Sequence, residues 1–257
     1  MRGYRVHLLR DLDPEVVESL PRSFDLIGEI ALIRLSPEQE RYLPLIREAI
    51  RTQHPQVIEI YLKGTVNGSE RIRSLEIPYR VTYQENGLQL LVELGTVFFS
   101  NRLSRERQRI LDQTQPGEIV VDLFAGVGPC GLLLAKKRAA FVYLCELNPR
   151  AIELCRLNAK LNRITNVQIF EGDARSFLKQ FPPCDRVIMN LPFQAIDFLP
   201  AVIEQTGPGT KIHLYRFHRT EQQNFEYPKL RLLQIHPCIE YSAFEQISCF
   251  DLERTTD

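Results

Sequence analysis

The sequence has no CxxC pair among its six cysteines and no net charge over its 257 residues. Six scattered cysteines indicate neither a zinc site nor a disulfide framework, so we interpret them as reduced thiols. Zero net charge argues against nucleic-acid binding through one large positive field, but it is compatible with a local basic face. No segment approaches the roughly 18 apolar residues of a membrane span, so we expect no membrane association and a cytoplasmic location. Nothing in the composition specifies an oligomeric state.

The first hundred residues combine extended segments with one helix. Three extended segments are predicted, at residues 24–35, 57–62 and 89–99. Ser36-Pro37 supplies an N-cap and a proline suited to the first turn of a helix that runs through Ile50. The last extended segment follows Asn86-Gly87, a dipeptide typical of a hairpin turn. We therefore predict a small α+β domain on the substrate side of the protein, over residues 1–104.

From Ile119 onward, strands alternate with helices, which is the pattern of a parallel sheet. Five strands are predicted in this half, at residues 119–122, 141–146, 167–171, 186–190 and 211–216. Apolar residues recur at helical spacing over residues 149–161, and residues 229–235 and 245–252 are predicted to form a closing strand pair. The sequence thus predicts an α/β fold over residues 105–257, a doubly wound, mostly parallel, Rossmann-like sheet.

A glycine turn follows the first strand of this half. Val120-Val121-Asp122 ends at a carboxylate, and Gly126, Gly128 and Gly131 then satisfy the G-x-G-x-x-G pattern. NAD, FAD and S-adenosylmethionine (SAM) sites all use such glycines, so the pattern alone does not choose between them. Pro129 removes an N–H that a pyrophosphate would bind, whereas SAM carries a carboxylate and a sulfonium and needs less anion binding there. This favours SAM, as does the late strand pair, which NAD domains usually lack.

Acidic residues follow three consecutive strands, at Asp122, Glu146 and Asp173. Asp122 is expected near the ammonium of the SAM methionine moiety, and Glu146 on both ribose hydroxyls. Asp173 is expected on the adenine amino group, with the backbone N–H of Ala174 beside it. Singly, each acid could equally be a helix cap or an exposed turn residue, but their recurrence favours a cofactor site. The predicted cofactor-binding residues are Asp122, Phe124, Ala125, Gly126, Gly128, Pro129, Glu146, Leu147, Asn148, Asp173, Ala174, Asn190 and Pro192.

Asn190-Leu191-Pro192 ends the fourth predicted strand. The Asn190 amide can accept a hydrogen bond from a planar nitrogen donor and donate one to a carbonyl, which suits an amide-like edge such as that of guanine. An Asn-Pro turn is common by chance, but this one follows two cofactor-type segments. We therefore expect Asn190 to face the methyl group of the sulfonium.

Several segments resemble one family of RNA-modifying enzymes. Residues 99–107, FSNRLSRER, are similar to the FSPRLxxER segment of the archaeal and eukaryotic tRNA (guanine-N1)-methyltransferases that act at position 37. Residues 122–129 and Met189-Asn190-Leu191-Pro192 match the same family. The stretch from Lys63-Gly64 to Leu75 is similar to its G-x-x-R-x-R-x-L segment. The resemblance runs from residue 24 to the end of the chain.

This resemblance implies a reaction and a set of roles. Guanine N1 is protonated at neutral pH, so its methylation requires a base for the proton and a donor for the charge that develops on O6. By similarity, Glu106 is the base and Asn190 orients the guanine. Arg71 or Arg73 steadies O6 or a phosphate, with Arg102 close by. The implied cofactor is SAM, the implied partner is the tRNA anticodon loop, and no metal is required.

The sequence also departs from the family pattern. Asn101 replaces the family's proline, Cys130 stands where an aromatic residue is common, and Phe193-Gln194 continues the Asn-Leu-Pro turn without a familiar signature. Family members carry a further N-terminal RNA-docking domain for which we find no counterpart, so we expect a modest, salt-sensitive RNA affinity. By spacing alone, we expect a solvated helix face with internal ion pairs, formed by the charge run Arg102, Arg105, Glu106, Arg107 and Arg109.

Three other functions fit parts of the same pattern. One is transfer of the 3-amino-3-carboxypropyl group of SAM to a tricyclic base at the same tRNA position. That branch tends to be short, like this chain, but lacks the Asn-Leu-Pro turn and the proline after the glycines. A second is a non-catalytic SAM- and RNA-binding protein, in which Glu106 and Asn190 would be replaceable. A third is a small-molecule or protein methyltransferase, which the arginine-rich segment disfavours because guanine and phosphates profit from fixed arginines.

Overall fold

The structure, a computed structural model, describes residues 3–66, 69–72, 79–138, 141–222 and 224–256. Its contacts divide the chain into two compact units. The first unit comprises Met1–Tyr83 and Val92–Asn101, and the second comprises Gln84–Leu91 and Arg102–Asp257. The single boundary predicted after residue 104 stays a prediction, because the contacts of the folded chain do not test which segments fold alone. None of the described helices combines the length and the apolar character that crossing a membrane requires.

The first unit is built on a four-stranded sheet in the order β1-β2-β3-β4, in which only β2 and β3 are parallel. Its elements are α1 (Arg5–Leu8), α2 (Pro14–Ser19), β1 (Asp25–Ile27), β2 (Ile30–Ile33), α3 (Leu43–Gln53), β3 (Glu59–Val66) and β4 (Ser69–Ile72). Ile46 and Ile50 of α3 belong to one buried apolar cluster with Ile33 and Ile60 of the sheet. Burial of this apolar face holds the α+β unit together.

The strand predicted over residues 24–35 is in fact two strands joined by a tight turn. Gly28 makes this turn with a left-handed φ of +58°, and a Cβ at this position would lie 2.8 Å from the carbonyl oxygen of Thr82. Only glycine fits that conformation and that approach. The helix expected after Ser36 is present, because Ser36 and Gln39 form a reciprocal capping box and a 3₁₀ turn over Pro37–Tyr42 leads into α3.

A hairpin of β5 (Tyr79–Glu85) and β6 (Leu88–Leu94) follows. Its turn is the predicted Asn86-Gly87, with φ values of +47° and +78° that match a two-residue hairpin loop. The hairpin tip, residues 84–91, belongs to the second unit.

Two asparagines of the second unit hold the edge of this hairpin tip. The Asn158 side chain accepts from the Leu91 N–H (2.7 Å) and donates to the Leu91 carbonyl (3.1 Å). Asn162 makes the same pair of bonds with Gln89, at 3.0 and 2.6 Å. The two side-chain amides therefore pair with alternate residues of β6, as the backbone of a neighbouring strand would.

The second unit contains a seven-stranded sheet in the order β12-β13-β11-β10-β7-β8-β9. Strands β11, β10, β7, β8 and β9 run parallel, whereas β13 is antiparallel to β11 and β12. The α/β fold with a late antiparallel hairpin is therefore confirmed. Its elements are α4 (Ser104–Gln113), β7 (Ile119–Asp122), α5 (Gly131–Arg138), β8 (Phe141–Glu146), α6 (Pro149–Leu161), β9 (Val167–Glu171), α7 (Ala174–Leu178), β10 (Arg186–Met189), α8 (Leu199–Gln205), β11 (Lys211–Arg219), β12 (Leu230–Glu240) and β13 (Glu245–Arg254).

The two faces of this sheet differ in polarity. One face carries an apolar cluster that includes Met189, Leu214 and Phe250. Because side chains alternate along a strand, the neighbours of these residues point to the opposite face. On that face, His213 and Asp251 pair across β11 and β13, and both are buried. This second face is therefore buried and charged, and helix α4 contacts it.

Candidate active site

Four neighbouring strands end at one edge of the sheet in the second unit. The order β10-β7-β8-β9 places the following residues at or just beyond adjacent carboxyl ends: Asn190, Asp122, Glu146 and Asp173. Asp122 pairs in register with Ile188, two residues before Asn190. Open α/β sheets bind ligands in the crevice outside such carboxyl ends. We call Asp122, Glu146 and Asp173 the cofactor edge.

Asp122 lies buried beneath the glycine turn. Its carboxylate accepts a hydrogen bond from the Gly131 N–H (3.2 Å). Burial raises the pKa of Asp122 to about 7; backbone donors of Gly131 and Phe124 oppose this shift, and the nearby Glu146 carboxylate adds to it. Asp122 thus braces the turn, and its contact with the SAM ammonium stays a prediction.

The glycine turn is shaped by close contacts. Gly128 has a φ of +86°, and a Cβ there would lie 2.7 Å from Leu132 Cδ1 and 2.8 Å from Cys155 Sγ. Ala125 donates its N–H to the Cys145 carbonyl (2.9 Å) on the neighbouring strand. The turn therefore lies directly against the sheet, and the missing Cβ of Gly128 is what allows it to pack against Leu132 and Cys155.

Glu146 is the last residue of β8, the next strand along the edge. One carboxylate oxygen accepts from the Gly126 N–H and the other from the Asn148 N–H, both at 2.8 Å. A carboxylate has about four lone-pair sites, so two remain for hydroxyl donors. Leu147 beside it is 68% exposed and offers an apolar surface next to the carboxylate.

Asp173 is the N-cap of α7. It accepts from the Arg175 N–H (2.8 Å), and its exposed carboxylate also lies 3.5 Å from the Arg175 guanidinium. That guanidinium stacks over the Phe198 ring, which in turn contacts the Phe124 ring at 4.9 Å. Ala174 is buried at the start of the helix. Asp173 is thus a helix cap, and its predicted contact with adenine stays a prediction.

Asn190 lies one residue beyond β10, beside Tyr215 on β11. Met189 pairs with Leu214, so Asn190 and Tyr215 occupy the next positions of the two parallel strands. No described residue hydrogen-bonds the Asn190 amide, which is half-buried. The buried Tyr215 hydroxyl donates to Glu106 Oε1 (3.0 Å). Tyr215 therefore links the predicted base to the strand end that carries Asn190.

Glu106 is only 8% exposed and is bound on both oxygens. Arg109 donates to it from Nε and Nη2, each at 2.7 Å, in a bidentate pair. The same guanidinium donates to Asp251 on β13 at 2.5 and 3.1 Å. Desolvation opposes the charge of Arg109, but the two carboxylates raise its pKa far above the ordinary value. Glu106 is therefore held firmly as an ionic acceptor.

His213 extends this group of charges. Arg186 Nη1 lies 2.5 Å from His213 Nε2, and an arginine can only donate, so Nε2 is the acceptor. The Nδ1–H then donates to Asp251 (2.7 Å). Burial lowers the pKa of His213, and the bonds from His213 and Arg109 hold the pKa of Asp251 well below its usual range against its burial. We call Glu106, Arg109, Arg186, His213 and Asp251 the buried charge cluster.

His213 and Asp251 also form, with Cys249, a group whose potential ligand atoms lie within 4.8 Å of one another. Two guanidinium groups already bind this group, from Arg109 and Arg186. A further cation would meet strong repulsion there. The absence of a required metal stays a prediction, which this arrangement favours.

The charge run on α4 divides into buried and exposed members. Arg107 is buried and forms a bidentate pair with Glu85, at 2.5 and 2.7 Å. Arg102 and Arg105 are exposed. Of the ion pairs expected within the helix, Glu106–Arg109 is present but largely buried rather than solvated. Arg107 instead pairs with Glu85 of β5, because this side of α4 faces the sheet and the hairpin tip.

Two further arginines, predicted to bind the substrate, belong to the first unit. Arg71 lies on β4, opposite Gly64 of β3. Arg73 lies outside the described residues. Their role toward a substrate stays a prediction.

The sequence reasoning missed the long-range partners of Glu106 and Arg109. Tyr215 lies 109 positions from Glu106, and Asp251 lies 142 positions from Arg109. The available signal was the alternation of His213 and Tyr215 with the apolar Ile212 and Leu214 on β11. This alternation indicates one polar face on a strand in the interior of the sheet.

Comparison with known proteins gives two domain matches. Residues 81–241 match the TRM5/TYW2 methyltransferase domain, and residues 4–79 match the TYW2 N-terminal domain. The tRNA (guanine(37)-N(1))-methyltransferase Trm5b of Pyrococcus abyssi is 41% identical over 209 residues, which cover 79% of this chain and 62% of that protein. Trm5b of Methanocaldococcus jannaschii is 34% identical over 200 residues, covering 75% and 58%. The chain thus spans about three fifths of the length of these relatives.

Solved structures show the same fold. The crystal structure of P. abyssi Trm5b has a TM-score of 0.84 at 32% identity and covers 99% of this chain and 81% of its own. A complex of aTrm5 with tRNALeu has a TM-score of 0.80 at 25% identity, covering 99% and 78%. M. jannaschii Trm5 in complex with adenosine has a TM-score of 0.74 at 27% identity, covering 95% and 78%. Because the methyltransferase match spans more than half of its length, this chain belongs to the TRM5/TYW2 methyltransferase family.

Proposed function

We propose that this chain transfers the methyl group of SAM to N1 of guanine at position 37 of tRNA. One observation carries the proposal: Asn190 ends a strand beside the cofactor edge, and Tyr215 connects that strand end to Glu106. A carboxylate of the cofactor edge and the Asn190 amide thus lie at adjacent strand ends, and Tyr215 connects the Asn190 strand end to the buried acid on α4. The Trm5 relatives named above support the choice of reaction.

The chemistry of the edge supports SAM. A Cβ at Gly128 would meet Leu132 and Cys155, so glycine is needed for the turn to pack against the helices beside the strand end. Glu146 keeps two acceptor sites for the ribose hydroxyls, and Leu147 offers apolar surface to the adenine. When bound, SAM supplies a methyl group already activated by its sulfonium. The adenosine complex of M. jannaschii Trm5 supports this assignment.

In the proposed reaction, the chain positions guanine and receives its proton. Asn190 binds the amide-like edge of the base, and Glu106 accepts the N1 proton as the N1–methyl bond forms. Arg109 and Tyr215 fix the Glu106 carboxylate, so its orientation costs little at the moment of transfer. Arg71, Arg73 and Arg102 are proposed to bind O6 or phosphate groups.

Methylation of unmodified total tRNA, followed by nucleoside mass analysis, tests the reaction; 1-methylguanosine is expected. Glu106→Gln should lower single-turnover methylation by about 10² to 10⁴, the usual loss for a general base, with little change in SAM affinity. Higher pH should partly rescue it, because guanine then ionises in solution. Asn190→Ala should slow the reaction without such rescue. A Glu106→Gln protein with the wild-type rate would reduce Glu106 to a structural ion-pair partner.

A second candidate reaction is transfer of the 3-amino-3-carboxypropyl group to a modified guanine. The match of residues 4–79 to the TYW2 N-terminal domain favours it, whereas Asn190-Leu191-Pro192 and Pro129 favour methylation. The nucleoside mass separates the two additions directly. The cofactor product also differs, being S-adenosylhomocysteine for methyl transfer and methylthioadenosine for the alternative.

We further propose that the tRNA partner is engaged through its anticodon loop and that the protein acts in the cytoplasm. The complex of aTrm5 with tRNALeu supports tRNA as the partner. The six cysteines, all of them unpaired, support a reducing compartment.

A further inference from the structure

We propose that Phe193, Phe217 and Tyr241 form a stacking platform for the purine ring of the target nucleotide. The platform rests on the proposed RNA substrate and adds an aromatic surface to it. Stacking on aromatic side chains is the usual way in which proteins hold an unpaired base.

The three rings form one continuous group. The Phe193 and Phe217 centroids lie 5.1 Å apart with 32° between the ring planes, and Tyr241 meets Phe217 edge-on at 5.6 Å. Phe193 is 55% exposed and Tyr241 is 44% exposed. Phe193 and Tyr241 therefore leave about half of their apolar surface in contact with solvent. A planar ligand stacked on the rings would remove this surface from water.

The platform continues the candidate active site. Phe193 directly follows Asn190-Leu191-Pro192, and the Phe217 N–H donates to the Pro192 carbonyl (3.0 Å). Phe217 comes two residues after Tyr215 on β11, so both side chains point to the same face of the sheet. A base on the platform would therefore lie beside Asn190 and on the Glu106 side of the sheet.

A basic residue adjoins this region. Arg102 lines a depression of about 250 Å³ together with Pro237, Cys238, Ile239 and Glu240 of β12. Tyr241 is the next residue after this strand. A nucleotide whose base stacks on the rings would have a cation near its backbone, which suits RNA better than an uncharged aromatic ligand.

The test is a double-variant cycle that measures the affinity of two proteins for two RNA hairpins, under conditions without methyl transfer. Wild type and Phe193→Leu are titrated, in S-adenosylhomocysteine, with an anticodon-loop hairpin that has either guanine or an abasic site at position 37. Wild type should bind the guanine hairpin roughly 10- to 100-fold more tightly than the abasic one, the range for one stacked base. Phe193→Leu should lose most of this preference, whereas Phe193→Tyr should keep it.

Phe141→Leu is the matched control. Phe141 is also partly exposed and contacts a second ring, Tyr143 at 5.0 Å, but it lies at the amino end of β8, opposite the cofactor edge. It should bind both hairpins as wild type does. SAM affinity, measured by calorimetry, should be unchanged in all three variants.

The outcomes separate the platform from the reaction. If wild type methylates guanine but Phe193→Leu discriminates the hairpins as wild type does, the platform is wrong and the proposed function stands. If the preference depends on Phe193 but no methylguanosine forms, the platform stands and the reaction is wrong. If the Phe193-dependent loss of affinity occurs with an abasic site at position 36 or 38 instead of position 37, the assignment to the target base is overturned.

Discussion

The cofactor edge and the buried charge cluster use the same kinds of side chain in opposite ways. At the edge, Glu146 and Asp173 accept hydrogen bonds from backbone N–H groups two residues away. In the cluster, Arg109 reaches Asp251 across 142 positions of the chain. Local turns therefore position Glu146 and Asp173, whose carboxylates keep acceptor sites for a ligand. The cluster forms only when the sheet has formed, and its members hydrogen-bond one another. Loss of the Glu146 carboxylate at the edge should mainly change ligand affinity, and loss of the Arg109 cation in the cluster should mainly change stability.

The largest effect on stability is expected for Arg109→Met. This change leaves the buried carboxylates of Glu106 and Asp251 without their shared cation, which typically costs about 3–5 kcal/mol. Urea unfolding measures the loss. Arg105→Met is the matched control on the same helix, because Arg105 is exposed, and its free energy of unfolding should change by less than about 0.5 kcal/mol. Equal effects of the two substitutions would contradict the comparison.

Asp122→Asn should change the pH dependence of stability. The folded protein keeps a proton on Asp122 up to about pH 7, whereas the unfolded chain releases it near pH 4. The unfolded state then binds fewer protons, so the free energy of unfolding falls as pH rises from about 4 to 7, by up to about 4 kcal/mol. The asparagine variant should lack this part of the slope. If Asp122 also contacts the SAM ammonium, SAM affinity of the wild type should rise over the same range.

Glu146→Ala should weaken SAM binding by about 1–3 kcal/mol, roughly 5- to 150-fold, because bonds to a charged acceptor are lost. Calorimetry with SAM alone gives this value. Glu171→Ala is the control, since Glu171 is an exposed acid at the next strand end, whose partner is Arg156 at 3.8 Å. A Glu146→Ala protein that binds SAM as tightly as Glu171→Ala would remove Glu146 from the ribose site.

The smallest effect is expected for Asn162→Ala, about 1 kcal/mol, because its bonds to Gln89 lie at the surface. Asn158→Ala should cost more, since Asn158 is fully buried and also donates to Val127 in the glycine turn (3.0 Å). Hydrogen exchange at the Gln89 and Leu91 amides should report each loss separately. Faster exchange at both amides in both variants would show that the two asparagines act as one unit.

The sequence predicted what depends on local pattern. Strand ends at Asp122 and Glu146, the Asn86-Gly87 turn and the closing hairpin all follow from alternation and turn chemistry. The turn at Gly28 was missed because the apolar run continues through it, and its need for glycine comes from Thr82, far along the chain. The contacts of Glu106 with Tyr215 and of Arg109 with Asp251 were missed for the same reason, since no local pattern predicts which buried polar groups will meet across a sheet.

The two asparagines that hold β6 also bear on where the chain can be cut. Asn158 and Asn162 serve as a substitute strand for residues 89 and 91, and Glu85 in the same hairpin neutralises the buried Arg107. A fragment that starts at Arg102 would keep the whole seven-stranded sheet and still expose two amides and a buried cation. The smallest stable form of the second unit therefore includes the hairpin tip, and a second unit that lacks residues 84–91 should be less stable than one that keeps them.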